Sequence, residues 1–358
     1  MDWQNLRGNY PRLLLIALVG VVLLAFVIAA STSTAAFGIY NAAWDGASGM
    51  QTQADSVDTE SKIALNTSIY TTANATGTVS VILSPETTYN QTETQRVRQF
   101  VEAGGTVVVA EDYGPHGNEL LAGIGATASI DGQPLRDEQN TYRSPAMPVA
   151  TNVTNGTLTQ NVSQLTINHG TVVEAAEADV VVRSSEFSYL DTNRNAELDE
   201  SETLQSYPVV TSESVGDGRV IVVSDPSLFI NAMLERPGNQ QFTQNLFETH
   251  NQVILDYSHA GQQPPLAIAL LTIRTTPLLQ VIVGTIGLGA LLVWIQPPQA
   301  LRRHRDDNSP THATASNTAT EAAFVAYLRK HHPEWESSRM QRIITGILDQ
   351  QSEETTNE

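Results

Sequence analysis

Residues 97–112 read V-R-Q-F-V-E-A-G-G-T-V-V-V-A-E-D, and this stretch decides the fold class. Val97, Phe100 and Val101 recur at helical spacing, and Gly104-Gly105 supplies a C-terminal cap. Thr106 to Ala110 is then a continuous β-branched run, which marks a strand buried on both faces. It stops at Glu111-Asp112-Tyr113-Gly114.

Upstream, residues 79–83 form a second apolar run ended by Ser84-Pro85, and residues 92–103 carry the helical pattern between the two runs. Downstream, residues 118–124 read as a short helix capped by Gly125. Strand, helix, strand and helix with short connections make a βαβ unit. The expected class is α/β, a mostly parallel sheet flanked by helices. Further apolar stretches lie at 171–173, 179–183 and 207–215, and Gly216-Asp217-Gly218 turns the last into 219–223 as a hairpin. Ser224-Asp225-Pro226 ends that strand at the expected carboxyl edge. Residues 242–257 read as a last amphipathic helix with Leu246, Val253 and Ile254 on one face.

Two apolar runs bracket this domain, at 13–30 and 277–295. An uncharged helix of about 20 residues crosses a hydrocarbon core of roughly 30 Å. Arg7 and Arg12 precede the first run, while Arg302, Arg303 and Arg305 follow the second, so the positive-inside rule places both termini in the cytoplasm. A cleaved signal peptide has an apolar region of only about 7–15 residues, which favours an uncleaved anchor. The expected order is a cytoplasmic N-terminus at 1–12, a first membrane span at 13–34 and a neck at 35–60. An extracellular α/β domain at 61–262 and an interfacial segment at 263–276, with Arg274 reaching to the headgroups, follow. A second span at 277–296, a cytoplasmic linker at 297–320 and a helical tail at 321–351 complete it. In the tail, Phe324, Leu328, Ile343, Ile344 and Leu348 are the apolar positions of two helices too small to bury a core alone. All six N-x-Ser/Thr sequons, beginning at Asn66, Asn74, Asn90, Asn152, Asn155 and Asn161, fall on the predicted outside as glycosylation candidates.

The chain has 38 acidic and 19 basic residues, only two of them lysines, and no cysteine. Between residues 41 and 262 the count is 28 acidic to 9 basic, so the domain carries the imbalance. Such a surface repels nucleic acid and suits high salt, a halophilic character. Without cysteine there is no disulfide framework and no thiolate chemistry.

The sharpest local pattern is D-T-N-R-N-A-E-L-D-E-S-E at 191–202. Asp191, Asn193, Asn195, Glu197, Asp199 and Glu202 stand at loop positions 1, 3, 5, 7, 9 and 12, the spacing with which an EF-hand-type loop wraps Ca²⁺, with a backbone carbonyl serving at 7. Ala196 occupies position 6, where the turn prefers glycine. The flanks look like strands, so an isolated calcium loop is expected, against the plainer reading of a solvated acidic turn. No G-x-S-x-G, Walker A or H-E-x-x-H motif is present, and His116, His169, His250 and His259 are scattered. The candidates for chemistry are Glu111, Asp112 and Asp225, each following an apolar strand. Carboxylates in such positions more often cap or solvate than catalyse.

The run at 100–110, G-N-E-L-L at 117–121, G-R-V-I-V-V-S-D-P-S-L-F-I-N at 218–231 and the Y-N-x-x-W-D-G stretch at 40–46 resemble a known family. They are similar to archaeal membrane proteins carrying domain of unknown function 4350. Their extracellular domain resembles the class I glutamine amidotransferase-like, flavodoxin-like fold, also seen in the GldG subunit of gliding-motility transporters. True amidotransferases use a cysteine nucleophile, so that activity does not carry over. The resemblance implies a MoxR-type AAA ATPase and von Willebrand A-like proteins as partners. The expected function is therefore a membrane-anchored, non-catalytic binding or scaffold domain. The alternative is a hydrolase using the strand-end carboxylates Asp112 and Asp225.

Overall fold

The structure, a computed structural model, describes residues 14–15, 17–25, 33–261, 265–295, 330, 335, 338 and 342–343. Eight strands form its central sheet: β1 Glu60–Ala64, β2 Thr78–Leu83, β3 Thr106–Ala110, β4 Asn152–Val153, β5 Asp179–Arg183, β6 Pro208–Val215, β7 Gly218–Val223 and β8 Gln252–Asp256. Their order is β1-β8-β2-β3-β7-β6-β5-β4. The pairings from β1 through β7 are parallel, and β7–β6, β6–β5 and β5–β4 are antiparallel. The sheet is mostly parallel around its centre, as the sequence predicts.

The pleat explains why it needs helices on both faces. In β3, Val108 and Ala110 point into one apolar cluster while Val107 and Val109 point into another. The first is closed by Met50 and Ala54 of α1 (Gly49–Ser56) and by Phe242, Leu246 and Phe247 of α5 (Pro237–Glu248). The second is closed by Val97, Phe100 and Val101 of α2 (Gln91–Glu102) and by Leu120, Leu121 and Ile124 of α3 (His116–Ile124). A short α4, Asn231–Leu234, follows a 3₁₀ turn at the end of β7. The expected hairpin is present, with Val215 opposite Gly218 across a turn in which Gly216 takes φ 61°.

Two expectations are corrected. Residues 242–257 are not one helix: α5 ends at Glu248 and residues 252–256 form β8, inserted between β1 and β2. Val253 and Leu255 enter the core from a strand; a short apolar run after a helix has no period that separates the two states. Residues 35–60 are also not a neck leaving a domain that starts at 61. Ile39, Ala47, Met50 and Ala54 are buried in the first cluster. The segment is held down through its backbone by a side chain from far along the sequence. Asn231 accepts from Gly49 N at 2.7 Å and donates to Ala43 O at 2.6 Å and Asn41 O at 3.2 Å.

α6 spans Pro265–Thr275 and α7 spans Pro277–Ile295. The chain divides after Thr275 into two units, and α7 belongs to the second. Side chains of α7 are described only through residue 289. Among the described residues no helix is long and apolar enough to cross a membrane. Residues 14–15 and 17–25 are helical. Residues 1–12, the linker at 297–320, nearly all of the 321–351 tail and the Arg274 side chain lie outside the described residues.

Asn231→Ala is expected to lower stability by about 2–4 kcal/mol, because it leaves Gly49 N and two backbone carbonyls without their partner. Urea unfolding measures this. A fragment covering 61–261 is expected to show no cooperative transition where 33–261 does.

Candidate functional site

Parallel strands deliver their following residues to one edge, and in open α/β sheets ligands bind there, near the point where strand order reverses. Here β2 and β3 run one way from the centre and the chain returns from β7 to β8 between β1 and β2. Ser84, Glu111, Asp112, Ser224, Asp225 and Asp256 therefore share the carboxyl edge.

Glu111 is fully buried. Its Oε1 accepts from Ser84 Oγ at 3.1 Å, Asp112 N at 3.1 Å and Gly114 N at 3.2 Å. Its Oε2 is buried with no hydrogen-bond partner. Burial raises its pKa above the usual carboxylate value, so the proton stays on more readily. The cradle is glycine-built: a Cβ at Gly114 would stand 2.6 Å from Oε2, and one at Gly117 would stand 2.9 Å from the Glu111 Cβ. Asp112 is half-buried and accepts from Tyr113 N at 2.7 Å. Burial raises its pKa too.

Asp225 is fully buried and caps the 3₁₀ turn after β7. It accepts from Ser227 N at 2.7 Å and, across the chain, from Asn168 N at 2.6 Å. Burial, aided by the charge of Asp112, pushes it up to about 7. Above these groups the Tyr113 hydroxyl donates to His169 O at 2.6 Å and Gly170 O at 3.2 Å. Burial and the two aspartates push its pKa up to about 12. The loop at 165–171 thus closes over Asp225, and a Cβ at Gly170 would sit 2.7 Å from the Asp225 Cβ.

The acidic loop reaches the same edge through Arg194, whose guanidinium lies 5.6 Å from the Tyr113 ring centroid. Within the loop, Asp191 is fully buried and accepts from Arg136 Nε at 2.6 Å, Asn195 N at 3.0 Å and Ala196 N at 3.0 Å. Glu202 closes the ring by accepting from Thr192 N at 2.8 Å. Ala196 takes φ 70°, the left-handed backbone that position 6 requires. Asn193 and Asn195 turn their amide nitrogens toward Asp199 Oδ2, at 2.6 and 2.9 Å. Glu197 is exposed. Among the described residues no three His, Cys, Asp or Glu side chains are grouped to hold a metal ion. The backbone fits a wrapped calcium loop, while the side-chain oxygens are turned to other partners. All six sequon asparagines are exposed, although Asn66 and Asn90 also cap helical turns.

One network escaped the sequence reading. Asp256, at the end of β8, accepts from Tyr70 Oη at 2.5 Å, Tyr89 Oη at 3.4 Å and Ser258 N at 2.8 Å. His259 stacks on Tyr89 with ring centroids 3.6 Å apart and meets Glu93 Oε2 at 3.2 Å. Its signal was available: Asp256 follows a V-I-L run as Glu111 and Asp225 follow theirs.

With that geometry in place, a family model described as "Domain of unknown function (DUF4350)" matches residues 39–247, more than half of the chain, and the chain belongs to that family. Among solved structures it is similar to "mmIFT52 N-terminal domain", at 13% identity and TM-score 0.39, over 52% of this chain and 80% of that one. It is also similar to "Cytoplasmic Protein STM1381 from Salmonella typhimurium LT2", at 13% identity and TM-score 0.37, over 57% and 87%. No curated protein matches in sequence.

The pKa of Asp225 gives a pH prediction. Unfolded, it ionises near pH 4; folded, near 7. Between those values the folded chain holds the extra proton, so this contribution is full below about pH 4 and is lost as pH rises through about 7, on the order of 4 kcal/mol in all. Denaturation across that window should show the slope, and Asp225→Asn should remove it.

Proposed function

We propose that the chain is a membrane-anchored, non-catalytic binding or scaffold domain facing the cell exterior, accessory to a MoxR-type ATPase system with von Willebrand A-like partners. The observation that carries the non-catalytic reading is the commitment of the strand-end carboxylates. Asp225 accepts two backbone N–H groups beneath a closed loop, and Glu111 is walled in by glycine backbone. Among the described residues neither Asp112 nor Asp225 is hydrogen-bonded to a histidine ring, and the hydroxyl that meets Asp225 is that of Ser227, buried in the turn that Asp225 caps. Anchoring at both ends is supported by the meeting of the domain's two ends. Tyr257 Oη lies 3.4 Å from Ser33 Oγ, and Tyr257 packs edge-on against Tyr40 at 5.7 Å between centroids. Apolar runs extend in sequence from both ends, as a membrane hairpin requires.

One observation favours the hydrolase alternative: Glu111, Asp112 and Asp225 all hold protons above the usual carboxylate range in one place, a mark of acid–base sites. A complementation assay separates the readings. The Asp112→Asn, Asp225→Asn pair should keep function wherever the protein still accumulates, and loss of function at normal abundance would support the hydrolase. Removing residues 321–358 should change the proteins recovered from native membranes; an unchanged set would defeat coupling to a cytoplasmic partner.

We also propose that the 191–202 loop takes Ca²⁺ as a structural ion, held by Asp191, Asn193, Asn195, Asp199, Glu202 and the Glu197 carbonyl. The left-handed turn at Ala196 supports this, and Arg136 competes for Asp191. Calcium should raise the melting temperature in a way that Asp191→Ala abolishes and Arg136→Gln enhances. A parent melting temperature indifferent to calcium would remove the ion from the reading.

A further inference from the structure

The loops at the carboxyl edge are sewn into one surface. Asn231 N donates to Gly46 O at 2.7 Å and Ala232 N to Trp44 O at 3.0 Å. Thr171 N bonds Ser224 O at 3.0 Å, His169 N bonds Ala146 O at 2.9 Å, and Glu86 N bonds His259 O at 2.8 Å. Both ends of the domain join this surface, because Tyr257 follows β8 directly and meets Ser33.

Two features of this surface have no role in the site already described. The Trp44 residue is 69% exposed, although its loop is pinned through Asn41 and Asn231. Nearby in the same loop cluster, the Tyr142 ring carries two guanidinium groups, Arg143 at 4.9 Å and Arg236 at 4.7 Å from its centroid. Two like charges on one ring repel unless an anion joins them. Among the described residues Arg143 makes no ion pair, and Arg236 has only the exposed Glu235, at 3.9 Å. Arg236 Nε is buried without a hydrogen-bond partner.

We propose that this edge rests on the bilayer surface, with Arg143 and Arg236 binding the anionic headgroup of a lipid and Trp44 seated at the interface. This rests on the membrane-anchored reading. Ser33 follows the first apolar run by three residues, and from Tyr257 the chain passes through α6 to the second run at 277, so the membrane-anchored reading turns this surface toward the bilayer. Tryptophan and arginine are the side chains that settle at a headgroup layer, one through its amphipathic ring and the other through paired donors to phosphate oxygens. The edge carries carboxylates of its own, Asp112 and Glu235 among them, so the contact rests on the paired guanidinium groups and the indole rather than on the net charge of this face. At high salt, screening confines attraction to a few ångström, so the paired donors rather than a long-range field carry the recognition.

The test uses the full chain with Trp3, Trp294 and Trp335 replaced by phenylalanine, leaving Trp44 as its one tryptophan. It is reconstituted into vesicles of phosphatidylglycerol or phosphatidylcholine containing lipid brominated near the headgroup. Trp44 fluorescence is expected to be quenched by the brominated lipid, more in phosphatidylglycerol, and shielded from acrylamide in the water. Arg143→Gln, a change at an exposed side chain, should cut the excess quenching in phosphatidylglycerol roughly in half, and Arg143→Gln with Arg236→Gln should abolish it. Equal quenching in the two lipids, or full access to acrylamide without lipid quenching, overturns the proposal. Flotation after an alkaline wash separates the two failures. A chain that floats but shows no lipid quenching refutes this edge alone, whereas one that does not float refutes the anchoring as well.

Discussion

Burial of β3 on both faces is the constraint from which the rest of the structure follows. A strand of Thr, three Val and Ala can satisfy its backbone only between two other strands, and its side chains only beneath two layers of helix. β2 and β7 supply the hydrogen bonds. Alternate residues are then handed to different cores, Val108 and Ala110 to the one under α1 and α5, Val107 and Val109 to the one under α2 and α3. Residues 33–60 are part of this solution. Without α1, the first core would lose Met50 and Ala54 from the layer that α5, the turn after β7 and Leu158, Val162, Leu165 and Ile167 otherwise form over strands apolar on that face.

What was legible in the sequence is what this constraint writes locally. β2, β3 and β7 are uninterrupted β-branched runs, and α2 declares itself through Asn90 and Glu93, which form a reciprocal capping box. β8 was not legible because V-I-L after a helix fits either state, and only insertion between β1 and β2 decides it. β1 was missed for a different reason: an edge strand with the burial of E-S-K-I-A alternates weakly and carries charges. The segment at 35–48 reads as a linker because it is short of apolar periodicity, yet its one asparagine, Asn41, is buried and ties Ala35, Ala43 and Asp45 together, while its carbonyl accepts from Asn231, 190 positions away. Asp112 and Asp225 could be placed at the carboxyl edge from sequence because each ends an apolar run. The contacts that decide what they do, Asn168 on Asp225 and Tyr113 on His169, join segments 57 and 56 positions apart and leave no local trace.

The electrostatics of the edge follow the same logic of competing costs. Glu111 and Asp225 are surrounded by backbone donors, which favour the charged form, yet burial outweighs them and both pKa values rise. Fixed N–H groups stabilise a carboxylate, but a dry cavity with Asp112 nearby disfavours a second charge. Glu111 and Asp225 are thereby inclined to neutrality at the carboxyl edge.

Topology finally couples attachment to the ligand edge. The chain leaves a parallel strand at its carboxyl end, so a domain whose last strand is β8 sends its continuation out of the edge where open sheets hold their ligands. The first segment could have come from anywhere, yet Ser33 and Tyr40 are drawn to Tyr257 at that same edge. In a membrane-anchored protein this arrangement turns the site toward the bilayer rather than toward open solvent. On the proposed anchoring, a partner approaching from solution would meet the amino edge and the helix faces first. Under that proposal the binding reading and the topology agree, because the edge that ends the parallel strands is also the edge at which both ends of the domain meet.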